Sequence, residues 1–212
     1  MRRSAIVVLL LAAACAPRAR SQTAAAPADS TRSDAGRPVS ATDSSRSYGT
    51  LSQSDLSLRM VNDELEIRFT PLAERVTRLL APDAYQSLRG LRASRQVSID
   101  SVARLNGLSE PGLALVTFYG QRDGVRFDPD LLTVVSRGRF LRPVGVVPLT
   151  PGFTAHQLPQ RGQVTGILLY DDVIPVDESF TLTYDTMTSD DWQRKLPVLE
   201  RERARVSARM NR

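Results

Sequence analysis

One histidine, His156, and one cysteine, Cys15, occur in the 212 residues, and these types supply many general bases, nucleophiles and zinc ligands. His156 lies in a predicted loop behind the turn signal Pro151-Gly152. A serine–histidine–aspartate triad needs a strained turn such as Gly-x-Ser-x-Gly to present its serine, and the sequence contains no such motif. Zinc would have only carboxylates as further ligands. We therefore expect neither triad catalysis nor a zinc site at His156.

Cys15 ends a segment that has the layout of an export signal. Arg2 and Arg3 give a positive start, residues 5–11 form a short apolar run, and residues 12–14 are alanines. The apolar stretch of roughly ten residues would span about 15 Å as a helix, which is too short for a permanent membrane span. The arginine pair lacks the surrounding pattern of a twin-arginine signal, so the general secretion route is expected.

The residues Leu11-Ala12-Ala13-Ala14-Cys15 resemble the lipobox that ends the signal peptides of bacterial lipoproteins. The resemblance implies a diacylglyceryl group on the Cys15 sulfur, cleavage before that residue and acylation of the new amine. Lipoprotein signals usually have leucine where Ala12 stands, and Ala12-x-Ala14 also fits ordinary signal peptidase. A soluble secreted protein that starts at Cys15 is therefore the alternative. A single unmodified thiol in an oxidising compartment could form no internal disulfide, which favours lipidation.

Residues 16–47 have the composition of a tether. They contain almost no apolar residue larger than alanine and so cannot bury enough surface to offset the entropy of ordering. We predict a signal peptide over 1–14, a lipid-anchored disordered linker over 15–47 and one globular domain over 48–212. Ala16, in place of the aspartate that holds some lipoproteins in the inner membrane, resembles the pattern of an outer-membrane destination.

Four acidic residues cluster late in the chain: Asp171-Asp172 and, after a short connection, Asp177-Glu178. Calcium takes six to eight oxygen ligands, and oxygen-rich loops of secreted proteins can supply them. The spacing matches no known calcium loop, and solvated carboxylates at strand ends are the alternative. The four residues are weak calcium candidates, and no other metal site is expected.

The densest basic segment that includes an aromatic residue contains Arg137, Arg139, Phe140 and Arg142. Its three arginines could bind anionic lipid headgroups, a polysaccharide or an acidic partner. The alternative is an ordinary strand that points the arginines outward and buries Phe140 and Leu141. We regard Arg137, Arg139 and Arg142 as a possible binding patch.

The charge balance excludes a nucleic-acid partner. The whole chain carries a net charge of +5, but twenty-one basic and twenty acidic residues remain from residue 48 onward. A nucleic-acid-binding domain normally has a clear positive excess. No phosphate-cradling glycine loop, dinucleotide fingerprint or redox cysteine pair occurs, so no cofactor is expected.

Hydropathy patterns indicate the elements of the globular part. Residues 56–60 and 65–69 alternate as a hairpin, Pro71 opens a helical pattern, and Asp83 is placed to cap a second helix that ends at Asn106-Gly107. A last helix starts near Asp190, with a kink or restart at Pro197. Five β-rich runs lie between, at 113–119, 131–135, 140–147, 164–170 and 180–184.

These patterns predict an α+β fold. We expect an antiparallel β-sandwich or an open barrel-like sheet, with two helices inserted near its N-terminal side and a C-terminal helix. The absence of β–α–β alternation argues against a doubly wound parallel sheet.

The sequence favours a lipid-anchored cell-envelope protein that serves as a binding or structural module. Its partners would be the membrane, through Cys15, and an envelope protein or surface polymer. The alternative is an envelope hydrolase or transferase that uses carboxylates of the β domain. A carboxylate pair in a deep pocket would favour the enzyme, whereas a shallow surface with an exposed apolar or arginine patch would favour binding.

Overall fold

The computed structural model describes residues 48–211, and they form an α+β fold as predicted. The helices are α1 (Gln53–Leu56), α2 (Glu74–Thr77), α3 (Pro82–Ser94), α4 (Gln96–Leu105) and α5 (Asp191–Met210). The strands are β1 (Leu58–Val61), β2 (Leu65–Pro71), β3 (Gly112–Gly120), β4 (Val125–Arg126), β5 (Thr133–Ser136), β6 (Arg139–Leu141), β7 (Pro143–Pro148), β8 (Gln157–Leu158), β9 (Gln163–Tyr170), β10 (Thr181–Tyr184) and β11 (Met187–Ser189). Two short 3-10 helices cover Pro129–Leu131 and Pro151–Ala155.

The described strands pair antiparallel in three sheets. A five-stranded sheet has the order β1-β2-β3-β9-β7, a four-stranded sheet has the order β11-β10-β5-β6, and β4 pairs with β8. The two larger sheets pack face to face as a sandwich. Phe118 on β3 lies 6.0 Å, ring to ring, from Tyr184 on β10, and the Tyr170 hydroxyl donates to the Leu132 carbonyl at 2.9 Å. Both contacts are buried, so one apolar core joins the sheets.

The first hairpin is confirmed, but the structure contradicts the helix predicted to open at Pro71. Pro71 is the last residue of β2 and pairs with Ala114 of β3. The helical pattern that follows is largely α2, one turn long, although Val76 is buried as predicted. Pairing with a central strand overrides the local preference of proline for a helix start.

The long helix predicted to end at Asn106-Gly107 is in fact two helices, α3 and α4. They are separated at Arg95, whose backbone (φ −112°, ψ 4°) is not helical. Pro82 opens α3 and Asp83 makes no capping hydrogen bond. The break allows α4 to pack on β7, where a Cβ at Gly145 would lie 2.3 Å from Val102 Cγ1. The absence of a side chain at Gly145 thus admits α4.

The strand predicted over 140–147 is divided between the two sheets. Residues 139–141 form β6 at the edge of the four-stranded sheet, and residues 143–148 form β7 at the edge of the five-stranded sheet. Pro143 has no N–H with which to continue the ladder of β6, so the chain changes sheets at Arg142. Leu141 is buried as expected, but Phe140 is 63% exposed, which contradicts its predicted burial.

The C-terminal helix α5 is confirmed and runs through Pro197 without a restart. Trp192, Leu199 and Val206 are buried on the core, whereas Met210 near the end of the helix is 59% exposed. Trp192 stacks on Phe180 with ring centroids 5.0 Å apart. None of the described helices is both long and apolar enough to cross a membrane.

Glu202 fastens α5 to the start of the described chain. Its carboxylate, 1% exposed, accepts hydrogen bonds from the Thr50 N–H at 2.9 Å and the Thr50 hydroxyl at 3.1 Å. Arg205 and Arg209 also donate to it, at 3.2 Å and 3.3 Å. Arg205 lies three positions after Glu202 in the same helix, whereas the contact with Thr50 joins residues 152 positions apart and was not foreseen.

Candidate binding surfaces

The outer face of the five-stranded sheet, turned away from the sandwich core, is divided into two halves. Helix α4 packs on one half, which we call the covered half. It includes Leu113, Gly145, Val147, Ile167 and Leu169. Its leucines, isoleucine and valine are buried. The remaining half of the same face is bordered by α1, whose Gln53 and Ser54 line a depression on it.

This open half consists of Arg59 on β1, Glu66 and Arg68 on β2, and Thr117 and Tyr119 on β3. Strand register places them together: Arg59 pairs with Arg68, Arg68 with Thr117, and Glu66 with Tyr119. Alternation along each strand puts these side chains on the solvent side and the intervening ones in the core.

Glu66 lies between the two arginines of the open half. Its carboxylate accepts from Arg59 Nη2 at 2.7 Å and from Arg68 Nε at 2.8 Å. The hydrogen bond from Arg59, together with that from Arg68, lowers the pKa of Glu66 below its usual value, although partial burial opposes the shift. The side chain of Glu66 is 9% exposed, but those of Arg59 and Arg68 are 60% and 52% exposed. The guanidinium groups therefore retain N–H donors that face solvent.

The Arg68 guanidinium also lies over the Tyr119 ring, with Cζ 4.8 Å from the ring centroid. Hydroxyl groups surround this stack: Ser57 shares a hydrogen bond with Thr70 at 2.7 Å, and Thr117 shares one with Thr165 at 3.1 Å. The depression that these residues line has a volume of about 530 Å³. Its lining is more apolar than polar, and the guanidinium donors at its surface are suited to binding carboxylate or hydroxyl groups.

The structure brings the predicted arginine patch and the acidic cluster together. Arg137 pairs with Glu178, and Arg139 pairs with Asp172. The hydrogen bond from Arg139 lowers the pKa of Asp172. Arg142 is exposed and forms no ion pair within the described residues. Two of the three arginines are thus neutralised by acidic neighbours, which weakens the attraction of the patch for an anionic ligand.

The four calcium candidates do not converge on one point. Asp177 pairs with Arg75 at 2.6 Å and with Arg203 at 2.7 Å, while Asp172 and Glu178 bind the patch arginines described above. Asp171 is exposed. Residues 48–211 contain no group of three or more acidic, histidine or cysteine side chains that could hold a metal ion. The arginines occupy carboxylate oxygens that calcium would need.

His156 lies on the rim of a separate cleft of about 610 Å³. It has a left-handed backbone (φ 53°), and its ring stacks on Phe127 with centroids 5.5 Å apart. Asp128 and Tyr184 line the same cleft, where the Asp128 N–H donates to the Tyr184 hydroxyl oxygen at 2.9 Å. Burial raises the pKa of Tyr184. In the described part of the chain no hydrogen bond joins the His156 ring to a carboxylate, so no proton relay is assembled there.

Cys15 and the predicted linker over 15–47 lie outside the residues that the structure describes. The lipid anchor therefore stays a prediction from the sequence.

The chain matches no protein-family model, no curated protein and no solved structure. Its function is accordingly argued from the geometry of its own residues.

Sequence reasoning did not single out the residues of the open half. Arg59, Glu66 and Arg68 carry a partial signal, since they hold the solvent-facing positions of a recognised hairpin. Tyr119 and Thr117 carry no such signal, because only the pairing of β3 with β2 brings them beside Glu66 and Arg68. That pairing joins residues about fifty positions apart, so no pattern of neighbouring residues in the sequence indicates it.

Proposed function

We propose that the protein is a lipid-anchored binding module of the bacterial cell envelope. The lipobox-like segment that ends at Cys15 supports the anchor, with an outer-membrane destination favoured by Ala16. The open half of the five-stranded sheet supports the binding role. Its partner is an envelope protein or surface polymer that presents carboxylate or hydroxyl groups.

The pre-formed network of Arg59, Glu66, Arg68 and Tyr119 carries this proposal. Glu66 holds both guanidinium groups in place, so a ligand does not have to order two long side chains itself. The aromatic ring adds an apolar surface beside the charged donors. Rigid aromatic and arginine side chains are typical of binding hot spots.

The alternative of an envelope hydrolase or transferase has less support. Two carboxylates of the described part are buried, Glu66 and Glu202, and each accepts from two arginines. A general acid must carry a proton near neutral pH, whereas the hydrogen bonds from Arg59 and Arg68 lower the pKa of Glu66. The oxygens of Glu202 are occupied by hydrogen bonds from Thr50 and two arginines. Neither carboxylate is suited to that role.

The anchor is tested by metabolic labelling with an alkyne analogue of palmitate. We expect the wild-type chain to carry the label and Cys15→Ser to lose it. Equal labelling of both forms, or none of either, would contradict the anchor. Fractionation of the two membranes of the same cells then tests the outer-membrane assignment.

The binding surface is tested by photocrosslinking in intact cells. A photoreactive phenylalanine replaces Tyr119 in one variant and Phe140 in a matched control, because Phe140 is an exposed aromatic on the other sheet. We expect a discrete adduct from position 119, reduced by Arg68→Gln, and none from position 140. Digestion of the adduct by a protease or by a muramidase tells a protein partner from a polymer. No adduct at position 119, or the same adduct at both positions, would contradict the proposal.

A further inference from the structure

The helices α3 and α4 carry a group of arginines whose charge is not balanced locally. They are Arg89, Arg92, Arg95 and Arg104, and none forms an ion pair within the described residues. Most other arginines of the described part pair with a carboxylate, as Arg59, Arg75 and Arg139 do. Residues 82–105 contain these four arginines against two aspartates, Asp83 and Asp100. The helical layer is therefore positive in a domain that is otherwise nearly neutral.

The arginines follow one strip along the two helices. A depression lined by Arg89 and Arg92 continues into a second one lined by Arg92 and Arg104, and Arg92 and Gln96 are common to both. Asp100 borders the second depression, but the described contacts show no ion pair between it and Arg104, whose Nε donates to the Asp100 carbonyl oxygen at 3.2 Å. Glu74, which is paired with Arg78, lines the first depression, and Glu110 lines the second, so the strip keeps a smaller positive charge than its arginines alone would give.

Two apolar side chains project from α4 into solvent. Val97 is 82% exposed and Leu105 is 84% exposed, the highest values among the exposed large apolar residues of the described part. The two are eight positions apart, so they lie on the same side of the helix about 12 Å from each other. Ile99 and Ala103 of the same helix are buried on the sheet. Val97 and Leu105 thus form an outward apolar ridge in addition to the packed face.

The chain enters the globular domain beside these helices. The ring of Tyr48, the first described residue, lies 4.7 Å from that of Tyr85 on α3. The Gly49 N–H donates to the Arg78 carbonyl at 2.9 Å, and the Ala81 N–H, just before α3, donates to the Leu51 carbonyl at 2.8 Å. Any anchor at Cys15 is therefore joined to the domain at the base of the helical layer. The residues between 15 and 48 connect that layer to the lipid.

We propose that the surface formed by α3 and α4 docks on a bilayer that contains anionic phospholipids. The arginines bind the headgroup phosphates, and Val97 and Leu105 insert among the lipids at the interface. This inference rests on the proposed function, because it adds a lipid contact to a domain that an anchor already holds near the membrane.

Vesicle flotation tests the docking without the anchor. The chain 15–212 with Cys15→Ser carries no lipid, and it is mixed with vesicles of phosphatidylcholine, with or without phosphatidylglycerol. We expect flotation with the anionic vesicles, loss of flotation as salt is raised, and little with the neutral vesicles. The double variant Arg89→Gln/Arg104→Gln is expected to bind about 30-fold more weakly, at about fivefold per arginine near an anionic surface.

The matched control is Arg126→Gln/Arg161→Gln. It removes the same charge from two exposed arginines on and beside the small sheet of β4 and β8, and neither forms an ion pair within residues 48–211. This control is expected to bind within about twofold of the parent chain. Val97→Ser/Leu105→Ser tests the ridge: it should bind more weakly while its salt dependence is kept. Circular dichroism establishes that each variant is folded.

Equal weakening by the two arginine pairs would overturn the proposal, because attraction would then follow total charge. Absence of flotation by the parent chain with anionic vesicles would also overturn it. Neither result depends on whether Cys15 is lipidated or whether Tyr119 contacts a partner, so failure of the docking is distinguishable from failure of the proposed function.

Discussion

The two halves of the outer face of the five-stranded sheet are built by the same strands but differ in chemistry. On β9, Ile167 and Leu169 lie in the covered half, while Thr165, two residues before Ile167, faces the open half. The covered half stabilises the fold by burying apolar surface, part of it under α4. The open half instead holds charged and hydroxyl groups in fixed positions. Buried apolar area is thus concentrated in one half, and the binding proposal rests on the other.

The largest expected effect is in the covered half. Ile167→Ala removes a fully buried side chain and leaves a cavity under α4, so we expect a loss of about 3 kcal/mol in the free energy of unfolding. Thr165→Ala on the same strand should cost less than about 1 kcal/mol, because it removes only the hydrogen bond to Thr117. Urea denaturation measures both. Equal losses would mean that the two halves contribute alike to stability.

The next largest loss of stability is expected where α4 packs on the sheet at Gly145. Gly145→Ala would place a methyl group 2.3 Å from Val102 Cγ1 and should destabilise the fold by about 2 kcal/mol. Val102→Ala in the same chain should recover part of that loss. The control Gly90→Ala meets no atom within 4 Å and lies in α3, so it should stabilise by roughly 0.5–1 kcal/mol. Thermal unfolding of the three variants and the wild-type chain measures these changes.

A smaller effect is expected in the open half, and it depends on pH. Because the folded state lowers the pKa of Glu66, its stabilisation is complete above the ordinary glutamate pKa of 4.5 and is lost as pH falls through the lower folded value. Glu66→Gln should cost about 1 kcal/mol at neutral pH, since both arginine partners are largely exposed.

The difference between Glu66→Gln and the wild type should shrink in acid. Denaturant titrations at neutral pH and at pH values below the ordinary glutamate pKa follow it. Glu64→Gln, two residues away and exposed, should leave stability unchanged at both. A constant difference across this range would contradict the assigned role of the Glu66 charge.

The smallest effect concerns Tyr119. Tyr119→Phe keeps the ring under Arg68 and should change stability by less than about 0.5 kcal/mol. Tyr119→Leu removes the cation–π contact and should cost about 0.5–1 kcal/mol. If Tyr119→Phe nevertheless abolishes the crosslinked adduct formed from a second open-half position such as Thr117, the hydroxyl group itself contacts the partner. The Tyr119 hydroxyl group would then contribute to binding without contributing to the stability of the fold.

Local patterns predicted the types of most elements but not their boundaries or partners. The β1–β2 hairpin and α5 are recognisable because period-2 and helical spacing are local properties. The error at Pro71 has a different cause, since pairing with β3 extends β2 through a residue that suits a helix start. The strand interpretation assigned both Phe140 and Leu141 to the core. Adjacent residues of a strand face opposite sides of the sheet, so with Leu141 buried Phe140 faces solvent.

The sequence was less informative about surfaces. It marked Arg137, Arg139 and the acidic cluster as candidates for binding, but it could not show that they pair with one another. The exposed side chains of Val97 and Leu105 were not recognised either. Which charges are paired depends on residues far apart in the chain, and a hydropathy window does not contain them.

The amino-acid sequence by itself determined the α+β class, the antiparallel strands and the segment on which the predicted anchor rests. These follow from composition and from periodicities that extend over a few residues. Only the tertiary structure decided that Gly145 admits α4 to the sheet and that the covered and open halves share one face. It also placed Glu66 between Arg59 and Arg68. Such relations depend on strand register and helix packing across the whole chain, because burial and charge pairing are properties of neighbours in space.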